Sequence, residues 1–91
     1  MKAILPPGPL LLKGLIDYQD GSVVSQEVLR TPNGTMTLFA FGAEQGLSEH
    51  TAPFAVLVSI VEGEAEITLS GTAYTVKEGE VIRMTAGEPH A

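Results

Sequence analysis

Residues 46–67 read GLSEHTAPFAVLVSIVEGEAEI, with His50 ahead of an apolar run that ends in Glu62-Gly63-Glu64. Within it, residues 54–61 are apolar except for Ser59. That run lacks the alternation of a half-exposed strand. It predicts a strand covered on both faces, one by the core and the other by a second sheet or a partner subunit. Downstream, residues 65–69 and 72–76 flank Ser70-Gly71 and predict a hairpin. Glu78-Gly79 marks another turn, residues 80–84 a last strand, and residues 85–89 a loop that leads to His90.

Upstream the pattern is similar. Residues 35–41 predict a strand with Thr37, Phe39 and Phe41 on one face and Met36, Leu38 and Ala40 on the other. Pro32-Asn33-Gly34 is a hairpin signal, since Asn-Gly accepts positive φ at little cost. Residues 23–30 predict the strand before it, entered through Asp20-Gly21. Residues 42–46 form a loop, and Pro53 interrupts the chain after residues 47–51. Residues 10–16 allow either one helical turn or a short strand, and Pro6, Pro7 and Pro9 keep the chain before them out of regular structure. No helical period persists beyond two turns. Short antiparallel strands separated by turns predict an all-β sandwich or barrel.

The 91 residues accommodate one domain, residues 1–91, with residues 1–22 as an N-terminal arm able to pair with a partner subunit. Apolar residues make up 44% of the chain against 18% charged, more than one small core absorbs, so a homodimer is expected. Net charge is −6, and Lys2, Lys13, Arg30, Lys77 and Arg83 are scattered. Nucleic acid and anionic membrane surfaces are therefore not expected partners. No window reaches the length of a membrane span. The opening MKAILPPGPLLLKG is broken by prolines and makes a poor signal peptide, which leaves the cytoplasm as the expected compartment. Without cysteine there is no disulfide, thiol nucleophile or thiolate metal ligand.

Two stretches resemble the paired motifs of the cupin superfamily. The first usually runs glycine, a few residues, His-x-His, three or four residues, Glu, six residues, Gly. With its closing glycine on Gly63, the first histidine falls on His50, but the second falls on Ala52 and the glutamate on Val56. The second motif runs glycine, five residues, Pro-x-Gly, two residues, His. Here it reads Gly79, EVIRM, Thr85-Ala86-Gly87, Glu88-Pro89, His90, with Thr85 in place of proline. The resemblance implies a cupin-type antiparallel β-sandwich or jelly-roll barrel. Cupins usually continue for a strand or two past the second motif, so either a partner's N-terminal strand fills that place or the natural chain is longer.

The resemblance also implies that His50 and His90 meet at the polar end of a ligand pocket, with Leu38, Leu47, Ala52, Ile67 and Met84 facing inward around it. The expected function is binding of a small polar or anionic organic molecule. The rival is a metal-dependent cupin enzyme, an oxygenase or isomerase, with zinc, nickel, iron or copper on His50 and His90. Val56 cannot supply the carboxylate that a non-haem iron oxygenase wants. Glu49 should face away from His50 on its strand, while Glu44, Gln45 and Glu88 lie in loops that could bend in. Metal-free proton transfer by a histidine is a third use of the pair. Glu62, Glu64, Glu66, Glu78 and Glu80 suit a solvated edge that discourages aggregation better than a calcium site. The serines fit no nucleophile elbow, and Phe39, Phe41 and Phe54 suit core or interface, with Phe54 and Met84 also able to line the pocket mouth.

Overall fold

The structure is a computed structural model that describes residues 7–91; residues 1–6, and with them the start of the expected arm, lie outside the described residues. The described residues form a 3-10 helix, Leu12–Gly14, and six strands. These are β1 (Val23–Thr31), β2 (Gly34–Phe41), β3 (Val56–Ser59), β4 (Glu64–Leu69), β5 (Thr72–Lys77) and β6 (Val81–Met84). All strand pairs are antiparallel: β1 with β2, β3 with β6, β4 with β5. The open choice at residues 10–16 resolves as a single 3-10 turn, closed by Leu15 N–H donating to the Leu12 carbonyl at 3.0 Å. The chain divides into two compact units, Met1–Gly46 and Leu47–Ala91.

In the N-terminal unit the β1–β2 hairpin sits where the sequence puts it, but its turn works differently. Neither Asn33 nor Gly34 takes a positive φ. Pro32 and Asn33 form a two-residue loop between the paired Thr31 and Gly34. Proline presets the φ of the first corner residue, so the Asn-Gly pair is not needed for its left-handed tolerance. The Thr31 hydroxyl reinforces the loop, accepting from the Asn33 N–H at 3.3 Å and donating to the Gly34 carbonyl at 3.1 Å.

One extra residue in β1 then shapes the whole ribbon. Glu27 pairs with Thr37 and Leu29 with Met36, which leaves Val28 as a bulge without a cross-strand partner. Val28 is fully buried. The bulge returns Glu27 and Arg30 to one face, opposite Thr37 and Thr35, although residues three apart on a regular strand face opposite ways. Arg30 therefore grips Glu27 in a forked pair, Nε to Oε1 at 2.8 Å and the second nitrogen to Oε2 at 2.9 Å. The Arg30 guanidinium holds the Glu27 carboxyl below its usual range, and Glu27 raises Arg30 in return. Leu38 and Ala40 are buried, while Phe39 and Phe41 stack on the open face with ring centroids 5.8 Å apart. Gly42 closes the unit where a side chain has no room: a Cβ there would lie 2.9 Å from the Gln19 carbonyl oxygen.

The C-terminal unit is a small sandwich. Ile67, Val76 and Met84 form its buried cluster, with Val56, Val58, Ile60, Ala65, Leu69 and Ile82 packed around them. These side chains come from both the β3–β6 and the β4–β5 ribbon, so the two ribbons bury one face each against the other. The predicted hairpin at Ser70-Gly71 has φ of 48° and 86° at its two corner residues, the primed turn whose twist matches a β-ribbon. The run at residues 54–61 contributes a shorter strand than its apolarity suggests. Val56, Val58 and Ile60 turn inward, whereas Leu57 is 67% exposed and Phe54 63% exposed. Burial on both faces is thus not reached within the described residues, because β3 packs against the opposing ribbon on one side only.

Candidate functional site

The C-terminal segment brings the two motif ends together. His50 and His90 exchange both backbone hydrogen bonds, each N–H donating to the other's carbonyl at 2.9 Å. On its other side the same segment pairs with β4: Ala91 and Thr68 exchange bonds at 3.0 Å, and Ser70 N–H donates to the Pro89 carbonyl at 2.9 Å. His90 is thereby held between His50 and Leu69.

The side chains repeat one local device. His50 Nδ1 lies 2.7 Å from the Ser48 carbonyl oxygen, and His90 Nδ1 lies 2.9 Å from the Glu88 carbonyl oxygen. A carbonyl only accepts, so each Nδ1 carries hydrogen and each neutral ring leaves the Nε2 lone pair available. The ring centroids are 4.3 Å apart, edge to face at 73°. His50 is exposed and His90 is 6% exposed.

The loop before His90 is tied by a carboxylate. Glu88 Oε1 accepts from the Thr85 N–H at 3.1 Å and from its hydroxyl at 3.2 Å, while Oε2 accepts from the Ser70 hydroxyl at 3.1 Å. The Thr85 N–H, then the Ser70 hydroxyl, hold the Glu88 carboxyl below its usual range. Thr85 stands where the cupin pattern has proline, and proline has no N–H to give. Gly87, at φ 77°, supplies the left-handed turn residue and donates to the Ala52 carbonyl at 2.8 Å.

The other expected site residues have varied places. Ile67 and Met84 belong to the buried cluster of the C-terminal unit. Ala52 is half-buried beside the 85–88 turn through its carbonyl, and Leu47 is 45% exposed. Leu38 is buried within the N-terminal unit. Glu88, expected in a loop able to bend in, is committed instead to Thr85 and Ser70. Among the described residues no group of three His, Cys, Asp or Glu side chains is gathered as a metal site. The Glu88 clamp was open to sequence reasoning in one respect: a threonine and a glutamate three residues apart make a pattern that closes a turn. The part played by Ser70 had no such signal.

An open depression of about 410 Å3 lies elsewhere on the C-terminal unit, lined by residues that include Tyr74, Val76, Val81, Ile82 and Arg83. Neither histidine lines it. The histidine pair is the better candidate, since it sets two imidazoles side by side with each Nδ1 already tied to a backbone carbonyl.

Residues 33–91 match the family of AraC-like ligand binding domains. That span covers well over half of the chain and includes both histidines. This chain belongs to that family. No curated protein matches it. Solved structures place this AraC-like domain in the cupin superfamily. A cupin superfamily protein from Desulfitobacterium hafniense is 26% identical with a TM-score of 0.89, over 98% of this chain and 82% of its own. A cupin 2 conserved barrel domain protein from Leptotrichia buccalis is 34% identical with a TM-score of 0.83, over 87% of this chain but 38% of its own length. A conserved protein of unknown function from Streptococcus pyogenes is 29% identical with a TM-score of 0.88, over 99% of this chain and 82% of its own. The all-β fold expected from the strand pattern, and the antiparallel cupin type implied by the motif resemblance, is the fold of this domain. No helix of the described residues is long and apolar enough to cross a membrane.

Proposed function

We propose that this cupin-type ligand-binding domain takes a small polar organic molecule on the Nε2 atoms of His50 and His90. The supporting observation is the matched tether: both Nδ1 atoms are spent on backbone carbonyls, and the rings stand 4.3 Å apart. A neutral pair accepts hydrogen bonds and suits hydroxyl or ammonium groups. An anionic ligand requires one ring to be protonated. Ligand titrations followed by backbone and imidazole NMR shifts test this. A panel of polyols, hydroxy acids and simple carboxylates should contain a compound that moves both imidazole signals. Its binding should be lost in His50→Ala and His90→Ala. Binding that both variants retain overturns the reading.

The same tether is how a metal-bound imidazole is usually oriented, which favours a metal-dependent enzyme as the second reading. The donor set does not fit a resident transition metal, however. Two imidazoles are present, no third ligating side chain joins them among the described residues, and Glu88 is engaged with the turn. Elemental analysis of untagged protein should find no stoichiometric metal. One equivalent that disappears in His90→Ala would promote the enzyme. The proposal includes a homodimer, supported by exposed Leu57 and Val81 on the outer face of the β3–β6 ribbon. A single-chain mass by light scattering at micromolar concentration would remove that part.

A further inference from the structure

We infer that Glu88 is a positioning residue for His90: its side chain fixes the place of its own carbonyl, and that carbonyl fixes which nitrogen of His90 carries hydrogen. The inference rests on the two-histidine reading above and deepens it.

The chain of contacts is continuous. Ser70 belongs to the β4–β5 turn and Thr85 to the loop before His90, and the Glu88 carboxylate accepts from both. The loop before His90 is bonded on its other side to Ala52, two residues after His50, through the Gly87 N–H. Pro89 follows, which disfavours the helical backbone region for Glu88 and offers no N–H of its own. With its backbone so restricted and its side chain anchored at both oxygens, Glu88 has little freedom to turn its carbonyl away. That carbonyl sits 2.9 Å from His90 Nδ1.

His50 provides an internal control. Its Nδ1 partner is the carbonyl of Ser48, and no side-chain clamp is seen at Ser48 among the described hydrogen bonds. Loss of the Glu88 carboxylate should therefore affect His90 and spare His50. A merely structural role would lower stability without moving the tautomer, or would disturb both rings together.

Long-range 15N–1H NMR of imidazole-labelled protein reads the tautomer directly, at a pH above the histidine range and with no ligand present. Wild type should show both rings with hydrogen on Nδ1. In Glu88→Ala the His90 signals should move toward the averaged tautomers of a free ring, with His50 unchanged. Glu88→Gln should restore most of the wild-type His90 pattern, because its amide oxygen can accept from Thr85 while its NH2 donates to Ser70. Ser70→Ala, which removes one contact, should give a smaller shift of the same sign and keeps the test available if Glu88→Ala does not fold. A wild-type His90 tautomer in folded Glu88→Ala overturns the inference, as does an equal change at both histidines. If Glu88→Ala does not fold, an unchanged His90 in Ser70→Ala overturns it. These readouts need no binding, so a failed ligand titration and a failed tautomer shift are separate results.

Discussion

His50 and His90 share a backbone bridge, the same Nδ1-to-carbonyl contact two residues back, and a ring-to-ring approach of 4.3 Å. Their settings otherwise differ. His90 is buried, carries β4 on its far side and follows a loop held by Glu88 and Gly87. His50 is exposed and precedes a stretch in which Ala52 and Val56 stand at the ligand positions of the cupin pattern. One half of the pair is thus built into the sandwich and the other is laid against it. The lesson is that two motif histidines at one site need not be equally organised. In this domain the more complete motif is also the better supported by packing.

Substitution of the histidines tests that asymmetry most strongly. His90→Ala should cost about 1–3 kcal/mol, since it empties a buried position and leaves the Glu88 carbonyl without its partner. His50→Ala should stay within about 0.5 kcal/mol because its ring is solvated. Urea unfolding of the two variants measures the difference, and equal losses would erase the comparison.

The glycines of the two motifs should show the same contrast at a smaller scale. Gly87→Ala places a Cβ at φ 77° and should cost about 1 kcal/mol by the left-handed penalty, although nothing lies within 4 Å. Gly46 has no positive φ and equally open surroundings, so Gly46→Ala should be neutral within about 0.5 kcal/mol or slightly stabilising. Thermal melts of the pair separate them.

The smallest effect is expected from acid. The Glu88 carboxyl titrates lower in the folded protein than in the unfolded chain, so its ionised form stabilises folding. That contribution is complete above the ordinary carboxylate range of about 4.3 and is lost as pH falls through the folded value. The gap in melting temperature between wild type and Glu88→Gln should therefore be flat from about pH 6 to 8 and close toward about pH 3. A gap that widens in acid would reverse the sign of the linkage. The Glu27–Arg30 pair in the other unit moves the same way and serves as a reference, as Glu27 too is lowered.

Much of the fold was legible because turn chemistry is local. Ser70-Gly71, Glu78-Gly79 and Asp20-Gly21 mark breaks that any strand arrangement must respect, and the strands between them fall within one or two residues of their expected ends. What could not be read is instructive. The β1–β2 loop was correctly located for an incomplete reason, since Pro32 and the Thr31 hydroxyl do what Asn-Gly was expected to do. The Val28 bulge left no trace in the pattern, because an added residue is recognised only against its partner strand. The open face of β3 escaped as well: a continuous apolar run states that burial is favourable, not that cover is present.

From its own letters this chain determined an all-β, antiparallel architecture, the two motif histidines and the acidic character that disfavours polyanions. Those follow from side-chain chemistry and short-range backbone preference, which act within a few residues. Only tertiary structure decided that His50 and His90 pair strand to strand, that one is buried and the other is not, and that Ser70 reaches Glu88. Such relations join residues far apart along the chain. They depend on register and on which ribbon faces which, and no local preference encodes either.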